Sequence, residues 1–151
     1  MKTHSLFALL LSFGATAAFA QRDYSKVEIT ATPVAKNIYM LQGAGGNIGA
    51  LIGPEGNLIV DDQFAPLAPK IDAALQKLNP GKLKVVLNTH HHGDHTGGNA
   101  TFGAKDALII AQSNVRKRLA AETEPKKEGL PVITFEQAAS VHFNGEEIQL
   151  L

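Results

Sequence analysis

Four of the six histidines in this 151-residue chain, His90, His91, His92 and His95, fall within six consecutive positions. They lie in the segment Asn88-Thr89-His90-His91-His92-Gly93-Asp94-His95-Thr96-Gly97-Gly98-Asn99. Neutral imidazole and carboxylate are natural ligands of zinc. In extended backbone the side-chain direction repeats every two residues, so His90 and His92 point one way and His91 the other. Gly93 frees the chain to turn, and a turn there can bring Asp94 and His95 towards the same centre. Thr96-Gly97-Gly98 allows close backbone approach beneath them. Two imidazoles are thus offered to one metal ion, and a carboxylate and an imidazole to a second. Two ions about 3.5–4 Å apart make a hydrolytic site, polarising a carbonyl and lowering the pKa of bound water from about 15.7 to about 7. A histidine-rich tract can also be an affinity tag, a nonspecific metal scavenger or a polar loop. A tag sits at a terminus and lacks an ordered Gly-Asp-His pattern, so residue types, spacing and position favour a structured metal site.

The elements that must hold this segment are legible on either side of it. Residues 84–89 (KVVLNT) form a short apolar run that reads as a buried strand, and ligand sites commonly sit where such strands end in open α/β sheets. Upstream, residues 26–35 read as a strand ending near Pro33, and residues 37–42 as a second. Gly43-Ala44-Gly45-Gly46-Asn47 is a flexible loop between strands. It opens no helix and so fails the dinucleotide-binding fingerprint. Residues 48–52 and 57–60 read as a hairpin about Gly53-Pro54-Glu55-Gly56. Asp61 and Asp62 follow directly; Asp62 is either a carboxylate supporting the site or a helix-start residue. Leu67, Ile71, Leu75 and Leu78 share one helix face, which Asn79-Pro80-Gly81 ends. Downstream come a buried strand over residues 107–111 and a helix with Ser113 as N-cap and Val115 and Leu119 facing inward. After them come a polar loop over residues 122–129, a strand over residues 132–135 and a last hairpin turning on Asn144-Gly145. The alternation of strand and helix from residue 57 to residue 121 predicts an α/β unit with helices packed on a sheet.

Composition narrows the function classes. Without any Cys there is no disulfide framework, cysteine nucleophile or thiolate ligand among these residues. Lys plus Arg and Asp plus Glu each total 14, so no basic excess holds the chain to a phosphate backbone, and no nucleic-acid partner is expected. Arg116-Lys117-Arg118 reads as a solvated helix face, and Glu146-Glu147 as carboxylates facing solvent beside a turn. No G-x-S-x-G element offers a serine nucleophile. Residues 1–20 have the three parts of a secretory signal peptide: Lys2 at the start, an uncharged stretch rich in Leu, Phe and Ala, and the cleavage site Ala18-Phe19-Ala20. That run is too short for a membrane span. The expected product is residues 21–151, exported to the periplasm or secreted, with no stable membrane anchor.

The pattern H-x-H-x-D-H after an apolar strand, followed by T-G-G-N, resembles the metal-binding motif of the metallo-β-lactamase superfamily. The string GGNIGALIGPEGNLIVDDQFAP resembles exported members of that group described as metallo-hydrolases. The resemblance implies an α/β fold of αββα type, a four-layer sandwich of two sheets flanked by helices. It assigns His90 and His92 to a first zinc ion and Asp94 and His95 to a second, with Asp94 also orienting the nucleophilic water. Asp61 matches the family aspartate that supports the metal loop through hydrogen bonds. The family's third histidine, its bridging aspartate and its final histidine have no counterpart here. His142 lacks their context and should sit on the surface opposite Glu147. The chain therefore reads as roughly the N-terminal half of the domain, supplying one sheet whose inner face lies open. By itself it is expected to bind zinc weakly and to be inactive. The complete protein is expected to be a zinc hydrolase that attacks an amide, ester, lactone or thioester carbonyl of a small molecule, β-lactams among the candidates. The rivals are an iron oxidoreductase with the same ligands and a truncated, inactive metal-binding remnant.

Overall fold

A computed structural model describes residues 23–151; the proposed leader, residues 1–20, lies outside the described residues. Among the described residues nine strands and four α-helices follow one another along the chain. They are β1 (Thr30–Ala35), β2 (Ile38–Gln42), β3 (Ile48–Gly53), β4 (Gly56–Val60), α1 (Ala68–Leu78), β5 (Leu83–Asn88), α2 (Gly93–Thr96), α3 (Asn99–Gly103), β6 (Leu108–Gln112), α4 (Ser113–Ala120), β7 (Ile133–Phe135), β8 (Ala139–Phe143) and β9 (Glu146–Leu150). Strands β1 to β7 lie side by side in chain order in one sheet, and β8 and β9 form a separate hairpin. Pairing is antiparallel from β1 to β4 and parallel from β4 to β7. The switch occurs where tight turns give way to helical crossovers, which only parallel neighbours need.

The central strands are apolar throughout because both of their faces are buried. Ile59, Val86 and Ile109 pack on one face with Leu67, Ile71, Leu75 and Phe102 from the helical side. Their neighbours Leu58, Val85, Leu87 and Ile110 pack on the other face against Val141, Phe143, Ile148 and Leu150 of the β8–β9 hairpin. The sheet therefore has a partial second layer, and its inner face is not simply open as the sequence suggested. The hairpin is tied down at its tip. The Asn144 side chain accepts from the Glu55 N–H at 3.0 Å and donates to the Gly56 carbonyl at 2.9 Å, at the β3–β4 turn. The Asn144 N–H also donates to the Glu55 carboxylate.

Two further expectations change at the edges of elements. Residues 26–29 are not strand, and β1 starts at Thr30. The Lys70 ammonium takes the carbonyls of Tyr24, Ser25 and Val27 at 3.0, 2.7 and 2.7 Å, making this segment a strap across α1. Pro33 sits inside β1 because β1 is an edge strand, where a missing N–H costs no ladder bond. Ser113 is not the cap of α4. Gln112 occupies that place, its side chain accepting from the Asn114 N–H, while the Ser113 hydroxyl donates to the Phe135 carbonyl. Among the described residues no helix is long and apolar enough to cross a membrane.

Candidate metal centre

Parallel pairing of β4 and β5 brings two chain segments together at one end of the sheet. The Asp61 N–H donates to the Leu87 carbonyl at 2.8 Å, carrying the ladder one step past β4. Asp61 thus stands beside Thr89, the first residue after β5. Its carboxylate accepts from the Thr89 N–H at 2.8 Å and the Thr89 hydroxyl at 2.7 Å. Its Oδ2 also lies 2.8 Å from His95 Nδ1. The backbone of Asp61 is left-handed, at φ 64°, a conformation that Asp and Asn adopt more readily than most residues.

The histidine segment leaves β5 extended and then closes into the single turn α2. The His92 carbonyl accepts from the N–H groups of His95 and Thr96 at 2.9 and 3.1 Å. The His90 ring lies 4.8 Å from that of His92 and 4.0 Å from that of His95, centre to centre. His91 is 6.5 Å from His90 but only 4.7 Å from His92. Alternation thus separates His91 from His90 but leaves it beside His92. Partial burial, with Arg118 facing it, holds the His91 imidazole below its usual pKa. Gly93 has open space where a side chain would stand and no positive φ, so the turn into α2 does not depend on glycine there. The close approach comes later. A Cβ on Gly97 would lie 2.6 Å from Ala65 N, Gln63 O and Gly93 O.

The donors suit zinc in kind. With Nδ1 donating to the Asp61 carboxylate, a neutral His95 presents the lone pair of Nε2. That atom is 3.5 Å from Asp94 Oδ2. Two lone-pair atoms facing each other repel unless a proton or cation lies between them. Two zinc ligands at bond lengths of about 2.0–2.1 Å and a tetrahedral angle are about 3.3 Å apart. The pair therefore fits two corners of a zinc site, with the imidazole oriented by a carboxylate behind it. In number the set is incomplete. Among the described residues no three His, Asp or Glu side chains stand grouped to hold one ion. His142 lies on β8 opposite Glu147, exposed and away from the cluster.

Asn88, Asn99 and Gln63 were not legible from spacing, and the role of Asp62 was left open. Asn88 and Asn99 exchange side-chain amide bonds at 3.1 and 2.9 Å, and each also binds backbone, at the His95 and Gly129 carbonyls respectively. Asp62 is fully buried, its Oδ1 accepting from the Gly98 N–H at 2.8 Å while Oδ2 has no partner among the described residues. Burial pushes its carboxyl pKa well above the usual value. This favours the supporting role for Asp62 over a helix start. Gln63 is buried as well and bridges to the glycine-rich loop.

Comparison with known proteins places these observations. The sequence profile described as the metallo-beta-lactamase superfamily matches residues 31–136. A hydroxyacylglutathione hydrolase of Acaryochloris marina is 29% identical over 108 residues, which are 70% of this chain and 37% of that protein. A subclass B3 metallo-beta-lactamase of Bradyrhizobium japonicum superposes with a TM-score of 0.66 at 21% identity, covering 82% of this chain and 52% of that one. A class B3 di-zinc metallo-beta-lactamase from an Alaskan soil metagenome gives the same score and identity, covering 85% and 53%. The chain thus spans little over a third of that curated relative and about half of the two solved structures.

Proposed function

Because the chain belongs to the metallo-beta-lactamase superfamily, we propose that in its complete domain it is a zinc-dependent hydrolase acting on the carbonyl of a small molecule. The observation that carries this reading is the Asp61–His95–Asp94 relay beside His90. One carboxylate orients an imidazole, whose free nitrogen faces a second carboxylate at 3.5 Å. His90 and His92 would hold one ion, and Asp94 and His95 a second. Zinc bound there supplies a Lewis acid and an activated water. Asp94, with its carboxylate partly exposed, can accept a hydrogen bond from the attacking water and orient it. Asp61 keeps the His95 proton on Nδ1, so that Nε2 remains a donor atom. The curated relative's name puts an acylglutathione among the substrates to test, beside β-lactam, lactone and ester classes. The leader-like residues 1–20 make export part of the proposal.

The experiment is metal analysis and an optical spectrum of the full protein, with hydrolysis assays across those four substrate classes. Bound zinc, no colour and carbonyl hydrolysis are expected. Stoichiometric iron with a coloured spectrum would overturn the zinc reading in favour of redox chemistry. The 151-residue chain by itself is expected to hold zinc weakly and to show no turnover, because two donors for each ion fall short of the three of a catalytic zinc site. Turnover by this chain with tightly held, stoichiometric zinc would overturn that.

A further inference from the structure

Gln63 joins the metal loop to the glycine-rich loop on the opposite side of the site. Its side chain is 1% exposed. The amide nitrogen donates to the Gly46 carbonyl, and the amide oxygen accepts from the Ala44 N–H at 3.3 Å. The side chain thus pairs with the loop as one more peptide unit would. Its own carbonyl accepts from the Gly97 N–H at 2.9 Å, directly after the histidine turn. The backbone at Gln63 is left-handed, at φ 56°, a conformation that non-glycine residues rarely adopt and that gathers at ligand sites.

The loop held in this way lies so close to a metal-facing side chain that only glycine fits beside it. A Cβ on Gly46 would lie 2.9 Å from His95 Cε1. That ring carbon sits between Nδ1, which meets Asp61, and Nε2, which faces Asp94. Contact at this carbon limits the tilt of the ring and hence where Nε2 aims. Beside it, a Cβ on Gly45 would lie 3.1 Å from Asp94 Cβ. Both members of the Asp94–His95 pair therefore lie against the loop that Gln63 holds.

We propose that Gln63 is a positioning residue that, by fixing the Gly43–Asn47 loop against His95, sets the aim of the Asp94–His95 half of the metal centre. This rests on the zinc reading above. The test follows the histidine Cε1–H resonances of the purified chain by NMR as zinc is added stepwise. In the wild-type chain the signals of His90, His92 and His95 should respond to zinc. Gln63→Met keeps the volume and removes both amide bonds. It should raise the zinc concentration needed for the His95 response about tenfold, the lower end of what supporting residues contribute, while the backbone spectrum keeps its dispersion. Gly46→Ala leaves Gln63 in place and pushes on the ring, so it should move the His95 signal even before zinc is added. A Gln63→Met chain whose His95 position and zinc response match wild type would overturn the proposal. Should that variant fail to fold, a silent Gly46→Ala overturns it equally. Wild-type histidines that ignore zinc even in large excess would instead bring down the zinc reading, a distinct result.

Discussion

Asp61 carries two tasks through one carboxylate: it closes the turn after β5 at Thr89 and it orients His95. Asp61→Asn separates them, because Asn tolerates the left-handed backbone but an amide nitrogen cannot accept the His95 proton. We expect zinc affinity to fall about 10- to 100-fold with the fold retained, as read by competition with a chromogenic chelator. Wild-type affinity would show that the carboxylate does not aim the ring. Asp62 is a matter of stability. Burial raises its pKa above the usual 3.8 in the folded chain. Below that value the carboxyl is protonated in both folded and unfolded states, and its contribution is complete. Above it the unfolded chain sheds the proton more readily, so stability falls as pH rises through the folded pKa. Asp62→Asn stays neutral and keeps an acceptor for the Gly98 N–H. Its advantage over wild type in urea midpoint, measured with a metal chelator present, should therefore grow from pH 4 to pH 8. A constant difference across that range would count against a buried, proton-holding Asp62. The histidines stood out in the sequence because their chemistry shows in type and spacing, and Asp61 through the family resemblance. Gln63, Asn88 and Asn99 did not, because no period distinguishes a buried polar residue that meets backbone from one in solvent.

The elements that local rules could specify appear as read. Asn144-Gly145 makes the last hairpin, with His142 opposite Glu147 and Val141 opposite Ile148. The Leu67–Leu78 stripe is buried on the α1 side, and the β3–β4 hairpin turns where Gly and Pro cluster. What local rules could not supply was where these pieces dock. The strap at residues 24–27 depends on Lys70 of α1, far along the chain, and the cover over the inner face depends on where the β8–β9 hairpin comes to rest. That docking is testable at Asn144, whose φ is 52° and whose side chain bonds to the β3–β4 turn. Asn144→Ala removes those bonds and strains the turn, and should lower unfolding free energy by about 1–3 kcal/mol. Asn144→Gly loses the bonds without the strain and should fall between. Denaturant midpoints order the three chains, and dye binding by exposed apolar surface should rise in the same order as stability falls. An Asn144→Ala chain with the wild-type midpoint would mean that the hairpin is held by its apolar face alone.

At the scale of the molecule, the seven-stranded sheet has two edges that no strand among the described residues covers, and they differ in kind. β1 carries Pro33 and an irregular register between Pro33 and Ala35, and both features blunt an edge against pairing with another chain. β7 has neither and is protected only by its three-residue length. Val132 just before it is 65% exposed, and Ile133, its first residue, 48%. With zero net charge, long-range repulsion does little to keep copies apart. The chain should therefore self-associate as concentration rises, and through the β7 edge. Val34 on β1 is also 65% exposed, which makes a matched pair of substitutions possible. Val132→Lys should shift the sedimentation profile towards monomer at high concentration, while Val34→Lys should leave it as in wild type. Equal relief by both substitutions would mean that apolar exposure in general, and not the unblunted edge, drives association.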